Sequence, residues 1–220
     1  MTDLAAAADQ LAALAEVHDD LRSVARDLLA PTSPLVSGGD PVAADWDLLA
    51  RSGWLGLEVP EELGGAGASF AELAVVLEEL GRVASPSPLL GGVVLAVGVL
   101  RATSPSDERD RLLAGIAEGR LRVAVALSAA EAPGAGPLPF VVEVDDGRAS
   151  VRGRATFVPD VVGADNVLLV ADDPSAGPVL VALAAGVDGL AVGPTPVVDA
   201  SRSLGEVSVG GLTVDAGCCW

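Results

Sequence analysis

The stretch that decides the fold is Gly53–Arg82, which reads GWLGLEVPEELGGAGASFAELAVVLEELGR. Its first part, Leu55–Val59, is an apolar run that we expect to be buried and extended. Three closely spaced glycines follow: Gly64, Gly65 and Gly67. Because glycine tolerates positive φ and lets another backbone approach closely, we expect a tight loop here. A glycine-rich loop ahead of a helix is also an alternative cradle for an anion.

The second part of the stretch predicts a helix from Ser69 to Leu80. Ser69 suits the N-cap and Glu72 the third helical position, and this pair is the signature of a capping box. Apolar residues then recur at helical spacing, at Leu73, Val76, Leu77 and Leu80. Gly81 is the expected end signal.

Further helices are predicted on both sides of this stretch, so that residues 1–121 form a helical domain. A long first helix is predicted from two series of residues spaced seven apart: Leu4, Leu11, His18 and Ala25, and Ala7, Leu14, Leu21 and Leu28. Pro31 and Pro34 are expected to end this helix. The other helices are expected from Asp40-Pro41 to about Gly53, from Ser87-Pro88 to Leu100, and from Ser106-Asp107 to Gly119.

Residues 122–220 have the character of a β domain. Seven short, Val-rich segments are predicted as strands: Val123–Leu127, Val141–Val144, Ala149–Val151, Val167–Val170, Val179–Leu183, Leu190–Val192 and Glu206–Val209. Asp146-Gly147 between apolar runs predicts a hairpin. Because no segment with helical periodicity interrupts this half, we expect an antiparallel sheet or small barrel. The fold class is therefore α+β, an all-α domain followed by an antiparallel β domain.

The composition excludes several classes of function. The 220 residues carry 31 acidic side chains against 13 basic ones, a formal charge of −18. Such a field repels phosphate backbones and anionic membranes, so we expect no nucleic-acid partner and no membrane insertion. All 13 basic residues are arginine, which excludes a Schiff-base lysine and a P-loop.

The scarcity of histidine and cysteine narrows the chemistry further. His18 is the one histidine, so no site that needs two imidazoles can form within this chain. Cys218 and Cys219 are adjacent, which suits neither a disulfide between distant segments nor zinc ligation, and we expect two thiols and no metal site. Met1–Ala8 lacks the pattern of a signal peptide, and Leu89–Leu100 is too short to span a bilayer. We therefore expect a cytoplasmic protein.

Taken whole, Gly53–Arg82 closely resembles the N-terminal domain of the acyl-CoA dehydrogenase family. That family shows G-L-x-G-L-x-V-P-E-E-x-G-G-x-G followed by a helix containing E-E-L-G-R. Ser85–Leu89 is similar to a P-x-P turn of actinobacterial members, and Leu112–Gly119 is similar to the family's L-L-P-x-I-A-x-G-E. The resemblance implies FAD-dependent α,β-dehydrogenation of an acyl-CoA thioester, in fatty-acid or steroid side-chain catabolism.

The β half resembles the family more loosely. Ser128 and the Gly134-Ala135-Gly136 run stand where the family has T-E-P-G-A-G-S-D, and the final Ser-Asp is lost. Phe157–Asp160 is similar to the family's aromatic-Ile-Thr-Asn turn, which packs on the flavin ring. Pro159 stands at the threonine position and offers neither a hydroxyl nor an N–H. The alternative is a β turn that only closes the sheet.

The resemblance implies a set of cofactor-binding residues: Leu127, Ser128, Phe157 and Val158. They would make backbone and hydroxyl contacts to the edge of the FAD ring and pack on its face. We assign no catalytic residue, because the family's usual glutamate base belongs to a C-terminal helical domain that the resemblance does not cover. Glu78, Glu79 and His18 are interpreted as structural.

Three functions remain open at this point. The first is an acyl-CoA dehydrogenase-like flavoprotein or subunit. The second is a truncated, non-catalytic fragment, or a partner in a homo- or hetero-oligomer with a full-length subunit. The third is a free-standing acyl or CoA binding module, which the −18 charge disfavours. Cys218-Cys219-Trp220 does not resemble the family, and this ending suggests a premature stop, a frameshift or a short gene, with Trp220 as an alternative packing anchor.

Overall fold

The computed structural model describes residues 2–33, 42–127, 137–199 and 201–220, with side chains from residue 12 onward. Five α-helices form the first half of the described chain: α1 (Thr2–Leu29), α2 (Trp46–Arg51), α3 (Phe70–Arg82), α4 (Ala96–Ala102) and α5 (Asp107–Ala117). A π-helical segment, Leu90–Leu95, runs directly into α4. The predicted helical character of this half is confirmed.

The second helix begins later than its sequence predicted. Asp45 is the N-cap of α2, and its side chain accepts from the Asp47 N–H. The predicted cap, Asp40-Pro41, lies outside the described residues. With Asp45 as the N-cap, Trp46 is the first residue of the helix and lies in the core, where its indole N–H donates to the Gly119 carbonyl oxygen at 2.9 Å.

The capping box of α3 is confirmed. The Ser69 hydroxyl accepts from the Ala71 N–H, and the Glu72 carboxylate accepts from the Ser69 N–H at 2.8 Å. The helix continues through Gly81 and ends at Arg82, two residues beyond the predicted end at Leu80, so Gly81 is not its end signal.

The run ahead of α3 is buried, as expected, but it is not extended. Trp54–Gly56 is a turn of 3₁₀-helix, and further turns follow it. Gly64 and Gly67 take φ angles of +85° and +60°, and a Cβ on Gly65 would overlap the Val59 carbonyl. These observations confirm the tight loop.

The anion-cradle alternative for this loop is wrong. Five successive N–H groups, those of residues 64–68, donate to carbonyl groups of the preceding turns, at 2.8–3.1 Å. Because these donors are already used within the chain, the loop has no N–H groups left to surround an anion.

All seven predicted strands are present: β1 (Val123–Ala126), β2 (Phe140–Asp145), β3 (Arg148–Pro159), β4 (Asn166–Asp173), β5 (Gly177–Ala184), β6 (Leu190–Pro194) and β7 (Leu204–Asp215). They form one sheet. One edge of β4 pairs with β5, and its other edge pairs first with β1 and then with β2. The sheet continues from β2 through β3 and β7 to β6. The hairpin at Asp146-Gly147 joins β2 to β3, and both turn residues have positive φ.

The sheet is mixed, whereas the sequence predicted purely antiparallel pairing. β1 and β2 lie one after the other along the same side of β4, and both run parallel to it. Parallel pairing needs a long connection, and more than thirty residues separate β1 from β4 along the chain. The remaining strand pairs are antiparallel.

Two core clusters meet at β1. Val123 and Val125 point into the helical core, whereas Ala124 and Ala126 point into the core between the strands. This division follows from the two-residue period of a strand. The helices therefore pack on the outer face of the sheet near β1, β4 and β5.

The C-terminal segment returns to this junction. The Trp220 backbone pairs with Leu180 on β5 through two hydrogen bonds, of 2.8 and 3.0 Å. Its indole N–H donates to the Thr103 hydroxyl just after α4. Trp220 thus acts as a packing anchor between the two halves.

Candidate functional site

The candidate site is built around a β-bulge in β3. Ala155 pairs with Val207 and Val158 pairs with Gly205, so Thr156 and Phe157 face a single residue of β7. A bulge of this kind bends a strand and re-aims a side chain. Phe157 has φ +54° and leaves 46% of its surface exposed.

The backbone of Phe157 is in a conformation that bulky residues rarely adopt. Left-handed φ angles suit glycine and, to a lesser degree, Asn and Asp, and in a phenylalanine they indicate strain. Strain of this kind costs on the order of 1–3 kcal/mol and concentrates at functional sites. The exposed, strained aromatic ring therefore marks this end of β3 as a candidate ligand surface.

The other predicted site residues are placed differently. Leu127 follows β1 and is 45% exposed, whereas the Val158 side chain is fully buried in the core between the strands. Val158 could therefore touch a ligand only through its backbone. Ser128 lies outside the described residues. Phe157, Val158 and Pro159 belong to β3 itself, and the chain turns only after Asp160.

The end of β3 is held against the π-helical segment. The Gly91 N–H donates to Asp160 Oδ2 at 2.8 Å. A Cβ on Gly91 would lie 2.6 Å from the Pro159 carbonyl oxygen, so the contact requires glycine. Because the first N–H groups of a helix lack partners within it, Asp160 acts as a cap supplied from the other half of the molecule.

Asp160 is an important residue that the sequence did not reveal as part of the site. Its own N–H donates to the Ser203 carbonyl oxygen at 2.9 Å, and its φ is +56°. Burial raises the pKa of this carboxyl, and the Gly91 N–H and the positive charge of Arg202 oppose the rise. The Gly91-Gly92 pair in the sequence could have indicated this contact. Two adjacent glycines destabilise a helix, so their presence in an apolar helix suggests that another segment packs closely against them.

Two adjoining clefts open beside Asp160. One, of about 200 Å³, is lined by Arg122, Asp160, Val162 and several serines. The other, of about 330 Å³, is lined by four leucines of α3 and of the segment after it, by three serines, and by Gly81, Ala84 and Arg202. Ser87 and Ser201 line both clefts.

The acids of the E-E-L-G-R motif lie away from these clefts, between α1 and α3. Glu79 is only 1% exposed and pairs with Arg26 and Arg82, at 3.0 and 2.6 Å. These arginines lower the pKa of Glu79, overcoming the opposing effect of burial. His18 lies 2.9 Å from Glu72, on the same contact between the two helices.

The two cysteines are free thiols. Burial raises the pKa of Cys218, and it raises that of Cys219 to about 11. Because the thiolate is the reactive form, neither is poised as a nucleophile.

The described residues suit the face of a flavin better than its edge. Phe157 and Leu127 offer exposed apolar surface for packing. Pro159, at the position of the family's threonine, can donate no hydrogen bond. Contacts between this strand end and a flavin are therefore limited to apolar packing and to backbone groups of neighbouring residues.

Comparisons with known proteins decide the family. The family model described as "Acyl-CoA dehydrogenase, N-terminal domain" matches residues 12–120. The chain belongs to the acyl-CoA dehydrogenase family. Acyl-CoA dehydrogenase IpdE2 of Mycobacterium tuberculosis is 44% identical over 78 residues, 34% of this chain and 24% of the relative. Acyl-CoA dehydrogenase FadE12 of the same species is 30% identical over 132 residues, 57% of this chain and 33% of the relative.

Solved structures of acyl-CoA dehydrogenases share the fold over nearly the whole chain. The ChsE4-ChsE5 complex from Mycobacterium tuberculosis superposes with a TM-score of 0.78 at 26% identity, over 93% of this chain and 56% of that chain. A variant of the Tcur3481-Tcur3483 steroid ACAD superposes with a TM-score of 0.76 at 27% identity, over 93% of this chain and 59% of that one. This acyl-CoA dehydrogenase chain thus spans little more than half the length of these solved chains.

In the part of the chain that the structure describes, no helix is both long and apolar enough to cross a membrane.

Proposed function

We propose that this chain forms the helical and β portions of an acyl-CoA dehydrogenase site, and that it works as one subunit of an oligomer. The observation that carries the proposal is Phe157, exposed and strained at the β3 bulge, at the position whose aromatic residue packs on the flavin in the family motif. The division into domains 1–121 and 122–220 and a cytoplasmic location belong to the same proposal.

When bound, FAD supplies the acceptor for the hydride that α,β-dehydrogenation removes from an acyl-CoA thioester. Phe157 and Leu127 would pack on the ring face and exclude water from it, since both expose apolar surface. Val158 would contribute backbone groups, and the Ser128 hydroxyl is proposed to reach the ring edge. Asp160 holds this strand end in place through Gly91.

A hetero-oligomer is favoured over an independent enzyme by two observations. Pro159 cannot make the hydrogen bond of the family's threonine. The two solved neighbours with more than 25% identity described above are both named as assemblies of two different chains. We therefore propose a full-length acyl-CoA dehydrogenase subunit as the partner.

The test is to purify the chain alone and with such a partner, and to record flavin absorbance, molecular size and dye-coupled acyl-CoA oxidation. We expect FAD binding that Phe157→Ala weakens about tenfold, since truncating a buried aromatic contact costs more than 1 kcal/mol. Val144→Ala is the matched control, because Val144 is equally exposed on β2, away from the bulge. Equal loss in both variants, or no flavin in either preparation, would overturn the proposal.

Pro159→Thr separates a catalytic chain from a non-catalytic partner. If this strand end contacts the ring, restoring a hydroxyl donor should tighten FAD binding. If the chain only supports a partner's site, the substitution should leave the spectrum of the complex unchanged. Acyl-CoA binding without any flavin would instead favour a free-standing binding module.

A further inference from the structure

The polar cleft beside Asp160 has a chemistry that holding the fold together does not require. Its cavity of about 200 Å³ lies between the turn before the π-helical segment and the end of β3. Asp160 and Arg122 bring opposite charges to its wall, and Ser87, Ser201 and Ser203 complete its polar lining. The adjoining cleft of about 330 Å³ contains four leucines in its lining, beside three serines and Arg202.

The charge of Asp160 is the feature that needs an explanation. The Gly91 N–H requires only an acceptor oxygen, which an asparagine amide also supplies. The family turn that Phe157–Asp160 resembles has asparagine at this position. A partly buried carboxylate without an ion pair is less favourable than a neutral amide, and within the described chain Asp160 forms no ion pair. The fold alone would therefore be served better by the amide.

The wall of the cleft selects a neutral group that both donates and accepts. Asp160 offers an acceptor to a hydrogen-bond donor, whereas Arg122 and the nearby Arg202 offer donors to an acceptor. A hydroxyl group can donate to the carboxylate and accept from a guanidinium or a serine. The four leucines of the adjoining cleft offer apolar surface to the hydrocarbon that would carry this hydroxyl.

We propose that Asp160 is a specificity-determining residue that binds a hydroxyl group on the hydrocarbon part of the acyl substrate. The acyl-CoA part of this inference rests on the function proposed above, whereas hydroxyl recognition by the cleft does not. The substrate class is therefore a hydroxylated acyl thioester, with the hydroxyl remote from the thioester.

The first experiment examines the cleft without any acyl-CoA. The full chain is titrated with trans-1,4-cyclohexanediol and with 1,4-dimethoxycyclohexane, which has the same skeleton and no donor. The NMR signals of the Gly91 amide and the Asp160 carboxyl report binding. We expect the diol to bind about tenfold more tightly, because a hydrogen bond to a charged acceptor contributes at least 1.4 kcal/mol.

Asp160→Asn is the matched variant, since it keeps an acceptor for Gly91 while removing the charge. The preference for the diol should fall to less than about twofold, because a neutral acceptor binds a hydroxyl more weakly. Continued protection of the Gly91 amide from hydrogen exchange would show that the contact with the π-helical segment is retained. Absence of saturable shifts in the wild-type chain, or an unchanged preference in the variant, would overturn the proposal.

The second experiment compares the binding of 6-hydroxyhexanoyl-CoA with that of hexanoyl-CoA, followed by the tryptophan fluorescence of the chain, to which Trp46 contributes. The Arg122 guanidinium lies 5.4 Å from the centre of the Trp46 indole, so the Trp46 part of the signal reports on the wall of the cleft. Tighter binding of the hydroxylated thioester supports the proposal, and equal binding of the two overturns it while leaving the acyl-CoA function intact. Diol binding without binding of either thioester would overturn the acyl-CoA function and leave hydroxyl recognition standing.

Discussion

Glu79 is a buried carboxylate and Asp160 a partly buried one. Each joins two segments of the chain, yet their surroundings shift their pKa values in opposite directions. Glu79 joins α1 to α3, and paired arginines hold its pKa below the usual value. Asp160 joins β3 to the π-helical segment, and burial without an ion pair holds its pKa above the usual value.

The comparison separates a contact that serves the fold from one that serves a site. The charge of Glu79 is compensated where it lies, so it strengthens the packing of the two helices. The charge of Asp160 is only partly compensated, and it lies beside a strained phenylalanine and an open cleft. A partly compensated carboxylate beside a strained backbone is expected at binding sites, where both features lower the stability of the fold.

The largest expected effect comes from breaking the contact at Asp160 by filling the space at Gly91. Gly91→Val should lower the free energy of unfolding by about 3 kcal/mol, because the new side chain would overlap the Pro159 carbonyl and Asp160. Chemical denaturation measures the change. Gly98→Ala in the same helix is the control and should stabilise by roughly 0.5–1 kcal/mol, since nothing lies within 4 Å of its Cβ. Similar losses in both variants would show that the close contact at Gly91 is unimportant.

Breaking the contact at Glu79 should cost about 2 kcal/mol. Glu79→Gln leaves its arginines without their charged partner, and the loss stays below the roughly 3–5 kcal/mol of a fully buried pair because Arg26 and Arg82 reach water. Glu78→Gln is the neighbouring control, with a side chain 66% exposed and an expected change within about 0.5 kcal/mol. A loss as small as that of the control would mean that Glu79 does not hold the two helices together.

Much of the structure around the contact between α1 and α3 could be predicted from the sequence. Ser69 and Glu72 stand at capping-box spacing, and the structure contains that box. The strands were also predictable, because short Val-rich segments between turn residues follow a local rule. Local rules reach a few residues along the chain, and these features lie within that range.

The Asp160 side could not be predicted to the same extent, because its contacts join residues far apart in the chain. The Gly91–Asp160 hydrogen bond spans 69 positions. The parallel pairing of β1 with β4 escaped prediction for the same reason, since pairing direction depends on how the chain returns. The positive φ of Phe157 arises from a bulge opposite β7, which the sequence of β3 alone does not specify.

A smaller effect is expected from removing the N-cap of α3, near its contact with α1. Ser69→Ala should cost about 1 kcal/mol at pH 7, the usual value of an N-cap. The Ser69 hydrogen bonds, together with His18, lower the pKa of Glu72 to about 2. This stabilisation is present above the unfolded pKa of about 4.5 and is lost as the pH falls through about 2. The cost of Ser69→Ala should therefore shrink between pH 4.5 and 2, as followed by urea denaturation.

Ser106→Ala is the control for this pH dependence. Ser106 caps α5 by accepting from the Arg109 N–H, and no carboxylate completes a box there. Its removal should cost a similar amount at pH 7 and change less on acidification. Parallel pH profiles for the two variants would mean that Glu72 is not coupled to its cap.

The smallest effect is expected at Asp160, where the substitution should raise the free energy of unfolding at pH 7, whereas Ser69→Ala lowers it. Because the folded pKa of Asp160 is raised above 3.8, its contribution to stability is complete below that pH and is lost as the pH rises through the folded pKa. Asp160→Asn should therefore match the wild type below about pH 3.8 and exceed it at pH 7, by up to about 1 kcal/mol. Asp188→Asn, at an exposed position, should show no such divergence. A stabilised Asn variant that also loses hydroxyl binding would show that the chain keeps this carboxylate for a ligand, whereas a destabilised one would make Asp160 a structural counterpart of Glu79.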